Sequence, residues 1–295
     1  MSPAPLTRPA ALALALAACL AACSSKSSHD QGAGQGGRTL RLSMIPTTDP
    51  GKMVRESAPL VVYLEGKLGA KVELTVPLNY AAVVEALGAD KVDIAFLGGF
   101  TYVQAHKRFG ARPLVQRERD QAFHSVFVTQ AGSPIAVLGD LAGKRFAFGD
   151  VNSTSGHLMP EYFLREAKVD PGVIQNAIYT GGHDATALAV ANKKVDAGAL
   201  DEAVFEKLVR EGKLDAGAIK VFYTSPPFFD YVWSARQGLD PALADAFANA
   251  MLALDAADPA HKPVLELLQA TRLVPASDAS YDKLRAAATA AGLLR

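Results

Sequence analysis

The 295-residue sequence predicts an α/β protein of two lobes, joined by a hinge of two crossings over a central ligand cleft. Three observations predict it. From Thr39 onward short β-like runs alternate with amphipathic helical segments, the pattern of βαβ units on a mostly parallel sheet. The alternation breaks at the strand-like residues 124–129 and the loop Ala131-Gly132-Ser133-Pro134, and restarts at Arg145. A last extended pair, Val221-Phe222-Tyr223 and Tyr231-Val232-Trp233, leads into helices rather than another βαβ unit. The economical arrangement places residues 39–126 and 231–295 in a first lobe and 127–230 in a second, so the chain crosses between them twice.

Each element has its own signal. Leu40-Arg41-Leu42-Ser43-Met44 alternates apolar and polar residues as a half-buried strand does. Val54, Ala58, Val61, Leu64 and Leu68 share one face of a helix, which Gly69 stops as a C-terminal cap. A strand at 72–76, a helix at 81–87, the apolar run 92–97 and a helix at 102–107 complete the first series. In the second lobe the strands are 145–148, 177–179 and 195–199, and the helices 156–167, 186–191 and 203–210. The C-terminal helices are marked by Leu243, Phe247, Met251 and Leu254, then by Tyr281, Leu284 and Ala288.

Thirty basic against 30 acidic side chains give a formal charge of zero, which removes the electrostatic basis for non-specific nucleic-acid binding. The only cysteines are Cys19 and Cys23, too close and too few for a disulfide scaffold or a cysteine-based zinc site. Arg8 followed by the apolar residues 10–22 reads as a secretory signal peptide, too short for a stable membrane span. Its end repeats Leu-Ala-Ala-Cys, similar to the site at which bacterial lipoproteins are cut and acylated. Cys23, followed by the polar run Ser24-Ser25-Lys26-Ser27-Ser28, is the better acceptor, making 1–22 the leader and 23–38 a lipidated flexible tether. Cutting before Cys23 discards Arg8 and leaves a mature formal charge of −1. The sequence Gly32-Ala33-Gly34-Gln35-Gly36-Gly37 satisfies G-x-G-x-x-G, but no strand precedes it and no helix follows, so it counts as linker.

In open α/β sheets ligands bind beyond the carboxyl ends of the strands, where helix N-termini present free N–H groups. Four junctions carry polar or glycine residues there: Asn79-Tyr80, Gly98-Gly99-Phe100-Thr101, residues 152–157, and Gly181-Gly182-His183-Asp184. The third, with Ser153, Thr154 and Ser155 before Gly156, suits a tetrahedral oxyanion. It is equally the composition of a plain N-cap, in which one hydroxyl satisfies one N–H.

The residues Phe146-Ala147-Phe148-Gly149-Asp150-Val151-Asn152-Ser153-Thr154-Ser155-Gly156-His157, with Gly182-His183-Asp184-Ala185-Thr186 and Val195-Asp196-Ala197-Gly198-Ala199, resemble the phosphate/phosphite/phosphonate-binding proteins of ABC importers. The branch most resembled is described as selenate-binding. The resemblance implies a type II periplasmic binding protein that closes on a small oxyanion and delivers it to an ABC permease and its ATPase. It also implies a periplasmic lipoprotein held to the membrane by its N-terminal lipid. It assigns Ser153, Thr154 and Ser155 to the oxyanion at a helix N-terminus, His183 as a donor from the next junction, Tyr80 as the contact from the opposite lobe, and Asp230 as acceptor from a protonated ligand. Phe123 stands where aminoalkylphosphonate-binding members place a tyrosine, and their second acidic residue falls near Ala203, with Asp201 and Glu202 only adjacent. Both departures speak against an amine-bearing ligand. A carboxylate at 230 also favours a monoprotonated phosphorus oxyanion over fully ionised selenate.

Each of these residues has a plainer role: His183 a cap, Tyr80 a buried ring, Asp230 a turn residue after Pro226-Pro227. The rival classes are a serine hydrolase using Ser153 or Ser155 with His157 or His183, and a scaffold lipoprotein. The G-x-S-x-G elbow of the former is absent. No H-E-x-x-H or His-x-x-x-His pair points to a metal, and no cofactor is called for.

Overall fold

The structure, a computed structural model, describes residues 38–294. The leader, Cys19, Cys23 and all of the tether but Arg38 lie outside the described residues.

Along the chain β1 (Thr39–Met44) is followed by α1 (Pro50–Glu56), α2 (Ala58–Leu68), β2 (Lys71–Thr75), α3 (Tyr80–Gly88), β3 (Ile94–Leu97), α4 (Gly99–Phe109) and β4 (Arg112–Arg117). After a short 3-10 turn come β5 (Ser125–Gln130), β6 (Phe146–Phe148), α5 (Met159–Glu166), α6 (Pro171–Gln175), β7 (Ile178–Tyr179), α7 (His183–Ala191), β8 (Ala197–Asp201), α8 (Glu202–Arg210) and β9 (Ile219–Thr224). The chain returns through β10 (Val232–Ala235) to α9 (Pro241–Leu252), α10 (Lys262–Leu268), β11 (Leu273–Pro275) and α11 (Asp282–Ala290).

Two sheets result, ordered β11-β4-β10-β3-β1-β2 and β7-β6-β8-β5-β9. Each contains three parallel strands, β3-β1-β2 in the first and β7-β6-β8 in the second, and each receives one antiparallel strand from the chain segment that has just crossed. β10 runs antiparallel between β3 and β4, and β5 runs antiparallel between β8 and β9. Val221-Phe222-Tyr223 and Tyr231-Val232-Trp233, read from sequence as a pair, therefore belong to different sheets. β5 begins at Ser125, so Ser125 and Val126, assigned by sequence to the first lobe, pair with Asp201 and Leu200 of the second sheet. The crossing segments meet at one antiparallel bridge, where Phe123 N donates to Phe228 O at 2.9 Å and Phe228 N to Phe123 O at 3.0 Å.

The second sheet is covered on both faces, as its alternation requires. Phe127, Phe146 and Phe148 pack with Leu164 and Val173 on one side, whereas Val126, Val128 and Ala147 pack with Val190, Val204 and Leu208 on the other. In the first half Leu40, Leu42, Ile94 and Trp233 share a core with Phe247, Met251 and Leu284 of the C-terminal helices.

The helix expected to carry Val54 through Leu68 is two. Ser57, whose hydroxyl donates to Met53 O at 2.7 Å, ends α1, and Pro59 falls in the first turn of α2, where its missing N–H costs nothing. Val54 is left 44% exposed, and the buried positions of α2 are Leu60 and Leu64. Gly69 does close α2, at φ 58° with its N–H on Glu65 O.

Candidate oxyanion site

Four strand-to-helix junctions converge between the two sheets. From the first half come the N-termini of α3, capped by Asn79 on Ala82 N, and of α4, capped by Gly98. From the second come the turn at Ser153, which opens α5, and the N-terminus of α7. The turn at Ser153 is wide: Leu158 N donates to Ser153 O at 3.0 Å, an i→i+5 bond of π type.

The junctions touch across the cleft. Phe100 N donates to Thr154 Oγ1 at 3.0 Å, His183 N to Thr47 O at 3.0 Å, and Tyr80 N to Asp150 Oδ2 at 3.4 Å. Tyr80 Oη lies 3.3 Å from His183 Nε2. At the rim Gln104 Nε2 donates to Asn152 Oδ1 at 3.0 Å. At Gly98 a Cβ would be tight, 3.0 Å from Thr154 Oγ1 and 3.3 Å from Asp230 Oδ1.

The three hydroxyls are not equivalent. Ser153 Oγ accepts from Gly156 N at 3.0 Å, the N-cap role. Thr154 Oγ1 accepts from Phe100 N and abuts the Asp230 carboxyl. Ser155, tethered through its carbonyl to Ser125 Oγ at 2.8 Å, is buried and leaves its own Oγ without a partner among the described residues.

Asp230 mirrors Ser155. Its Oδ1 accepts from Gly99 N at 3.0 Å, at the positive end of α4, while Oδ2 is buried and unpartnered among the described residues. Burial pushes this carboxyl up to about 7, with Asp201 and Asp120 adding to the rise and the Gly99 and Thr154 hydrogen bonds opposing it.

His183 is fully buried, and loss of hydration lowers its pKa, which keeps the ring neutral. Asp201 N donates to its Nδ1 at 3.2 Å, so the ring proton sits on Nε2 and points toward Tyr80. Tyr80, buried beside Asp150, Asp201 and Asp230, is held as a phenol. Phe123 lies farther back, its ring 5.6 Å edge-on from Tyr231 and 6.3 Å from Phe228, with Arg117 and Arg119 over its face. It carries no polar atom and offers only apolar surface.

Sequence reasoning brought Tyr80, Ser153, Thr154, Ser155, His183 and Asp230 together and missed several supports. Asp150 binds the Tyr80 N–H, whereas Gly99 and Phe100, whose backbone N–H groups bond Asp230 and Thr154, lie in a junction that the sequence already marks. Asp201 accepts from Tyr231 Oη at 2.6 Å while capping α8. The Arg117–Asp120 pair is wholly buried beneath the crossing, and Arg117 stays charged through it. Asp201 alone had a visible signal, an acidic residue opening a helix.

Residues 42–281 match the family model described as "ABC transporter, phosphonate, periplasmic substrate-binding protein". The chain belongs to this family. Its relatives include a probable ABC transporter phosphite binding protein of Prochlorococcus marinus, 30% identical over 84% of this chain and 88% of that one. A phosphate-import protein of Mycolicibacterium smegmatis is 33% identical over 84% of each. The solved structure of the Prochlorococcus protein in complex with methylphosphonate superposes with a TM-score of 0.82, covering 87% of this chain and 99% of that one at 29% identity. By family the protein is a periplasmic substrate-binding component of an ABC transporter, and its two-sheet architecture is that of a periplasmic binding protein.

Proposed function

We propose that the protein captures a small, singly protonated phosphorus oxyanion of the phosphite or phosphonate type and hands it to a permease driven by an ATPase. One observation carries the reading. Ser155 Oγ and Asp230 Oδ2 are both buried and unpartnered among the described residues, and Thr154, the neighbour of one, abuts the other. A buried hydroxyl that can donate and a buried carboxyl oxygen together match an anion bearing both a bare oxygen and a proton. The α3, α4, α5 and α7 N-termini supply the positive end of the field, which a chain without net charge needs locally. In this reading Ser153 caps its own turn and Thr154 joins the two halves, which close by hinge rotation about the bridge at Phe123 and Phe228. The lobe boundaries follow the sheets, with crossings at residues 118–124 and 225–231.

A fully ionised oxyanion such as selenate would set its charge against Asp230 unless that carboxyl holds a proton, so the phosphorus ligand is preferred. Among the described residues the hydrolase reading lacks its serine–histidine contact. His157 Nδ1 faces Val151 O and its Nε2 faces Glu161, while His183 is engaged by Asp201 N and Tyr80. Cys23 is the lipid attachment site in this account, after removal of residues 1–22. Radiolabelled palmitate incorporated by wild type and Cys19→Ala but not by Cys23→Ala is the expected result. Calorimetry with phosphite, methylphosphonate, phosphate, selenate and sulfate tests the ligand class: the phosphorus anions bind more tightly, and silence with all five contradicts the reading.

A further inference from the structure

The second sheet has buried clusters of its own, yet two apolar residues of its half lie outside them. Leu158, fully buried, and Met159, 5% exposed, belong to the cluster of the first half, with Phe100, Val103 and Leu284. They follow directly on the hydroxyl turn at Ser153, whose i→i+5 bond ends at Leu158 N.

α5 shows the same division. Met159 and Phe163, four residues apart, share one side of the helix, and Phe163 also packs against the first half's cluster. Leu164 points elsewhere and packs with Phe146 and Phe148 of the second sheet. The start of α5 is thus wedged between the halves. Polar bonds lay the preceding turn along α4 on the same side, Phe100 N on Thr154 Oγ1 and Gln104 Nε2 on Asn152 Oδ1, each at 3.0 Å.

We propose that Leu158 and Met159 form an apolar clamp, a positioning pair that raises affinity by entering the first half's core when the lobes close. The inference rests on the reading of the protein as one that closes by hinge rotation on a phosphorus oxyanion. An anion held at Ser155 fixes the turn against α4, and the pair three and four residues further on is carried into the first half. In the open protein Met159 loses those partners and faces water. Burying a side chain of this size corresponds to roughly 10- to 100-fold in affinity.

Met159→Ala should therefore weaken phosphite and methylphosphonate alike by about 10- to 100-fold in calorimetry and leave their ratio unchanged. Its unliganded melting temperature should stay within about 2 °C of wild type, while the rise on adding phosphite shrinks. An unliganded melting temperature that falls as far as the liganded one makes Met159 an ordinary core residue and overturns the proposal.

The wild-type protein gives a second readout. Hydrogen peroxide transfers one oxygen atom to an accessible thioether, forming the sulfoxide, and leaves as water. Peptide mass spectrometry should find Met159 oxidised in the unliganded protein and protected by saturating phosphite, with the fully buried Met251 protected in both. Met159 as resistant as Met251 without ligand overturns the clamp. No heat from the wild-type protein with phosphite, methylphosphonate or phosphate overturns the oxyanion reading instead, and the oxidation of unliganded Met159 then still decides the clamp.

Discussion

Tyr80 Oη and His183 Nε2, 3.3 Å apart, join the N-terminus of a helix on the first sheet to that of a helix on the second. The Asp201 amide holds the histidine proton on Nε2, so the phenol oxygen accepts from His183 and its own hydrogen remains for the bound anion. Tyr80→Phe removes both. A hydrogen bond to a charged group contributes about 1.5–3 kcal/mol, so affinity for phosphite should fall roughly 10- to 100-fold. Calorimetry checks it, and a change of twofold or less would show that Tyr80 only fills space.

The three hydroxyls should separate by phenotype. Ser153→Ala loses the cap on Gly156 N and should cost about 1 kcal/mol of stability. Ser155→Ala removes a buried hydroxyl without a partner among the described residues, so the unliganded protein should be at least as stable while ligand affinity drops about tenfold or more. Thermal unfolding with and without phosphite reads both quantities. Equal behaviour of the two variants would contradict the division of roles.

Asp230 titrates at about 7 in the folded protein against an ordinary 3.8. Between these values the native carboxyl keeps a proton that the unfolded chain has released. Its contribution to stability is therefore full below about pH 4, falls as pH rises to about 7, and is level above. The total is on the order of 4 kcal/mol. Asp230→Asn should abolish this slope in a denaturant titration compared with wild type, and should also admit sulfate and selenate with affinities about tenfold higher. Unaltered anion selectivity in Asp230→Asn would argue that the carboxyl does not face the ligand.

Charged side chains also meet across the cleft edge. Lys52 and Glu56 of α1 meet Glu211 and Lys207 of the α8 region at 3.3 Å, and Arg119 meets Glu206 at 3.3 Å. Lys213, with Lys52 adding to it, holds the Glu211 carboxyl down to about 2. These pairs are partly exposed and contribute about 0.2–1 kcal/mol each. Lys207→Ala should therefore weaken binding no more than about fivefold at low salt, with the difference vanishing near 1 M salt. A salt-independent loss would place Lys207 in a different role.

The sequence showed the βαβ rhythm because Leu40 with Leu42, and Phe146 with Phe148, alternate with residues of the opposite face. It could not show which strands become neighbours. β4 contains Pro113 and β11 is three residues long, so neither has a strand's signature until β10 and β4 supply partners. The extended segments at Val221 and Val232 read as a pair because they are close along the chain, yet Phe228 turns instead to Phe123 and carries the chain across. At the site, the hydroxyl triplet was legible as a unit. That Ser155 alone stays unpartnered among the described residues was not, because the bond occupying Thr154 comes from Phe100, 54 residues away.

The central claim is that one proton is shared between Asp230 and the bound anion. Calorimetric titration with phosphite at pH 8, in two buffers of different ionisation enthalpy, counts it directly. At that pH Asp230, at about 7, has largely lost its proton. An anion with a second pKa of about 6 has lost its own as well. Binding should then take up close to one proton per site, and Asp230→Asn should take up none. Tight binding with no proton uptake by the wild-type protein would contradict the account.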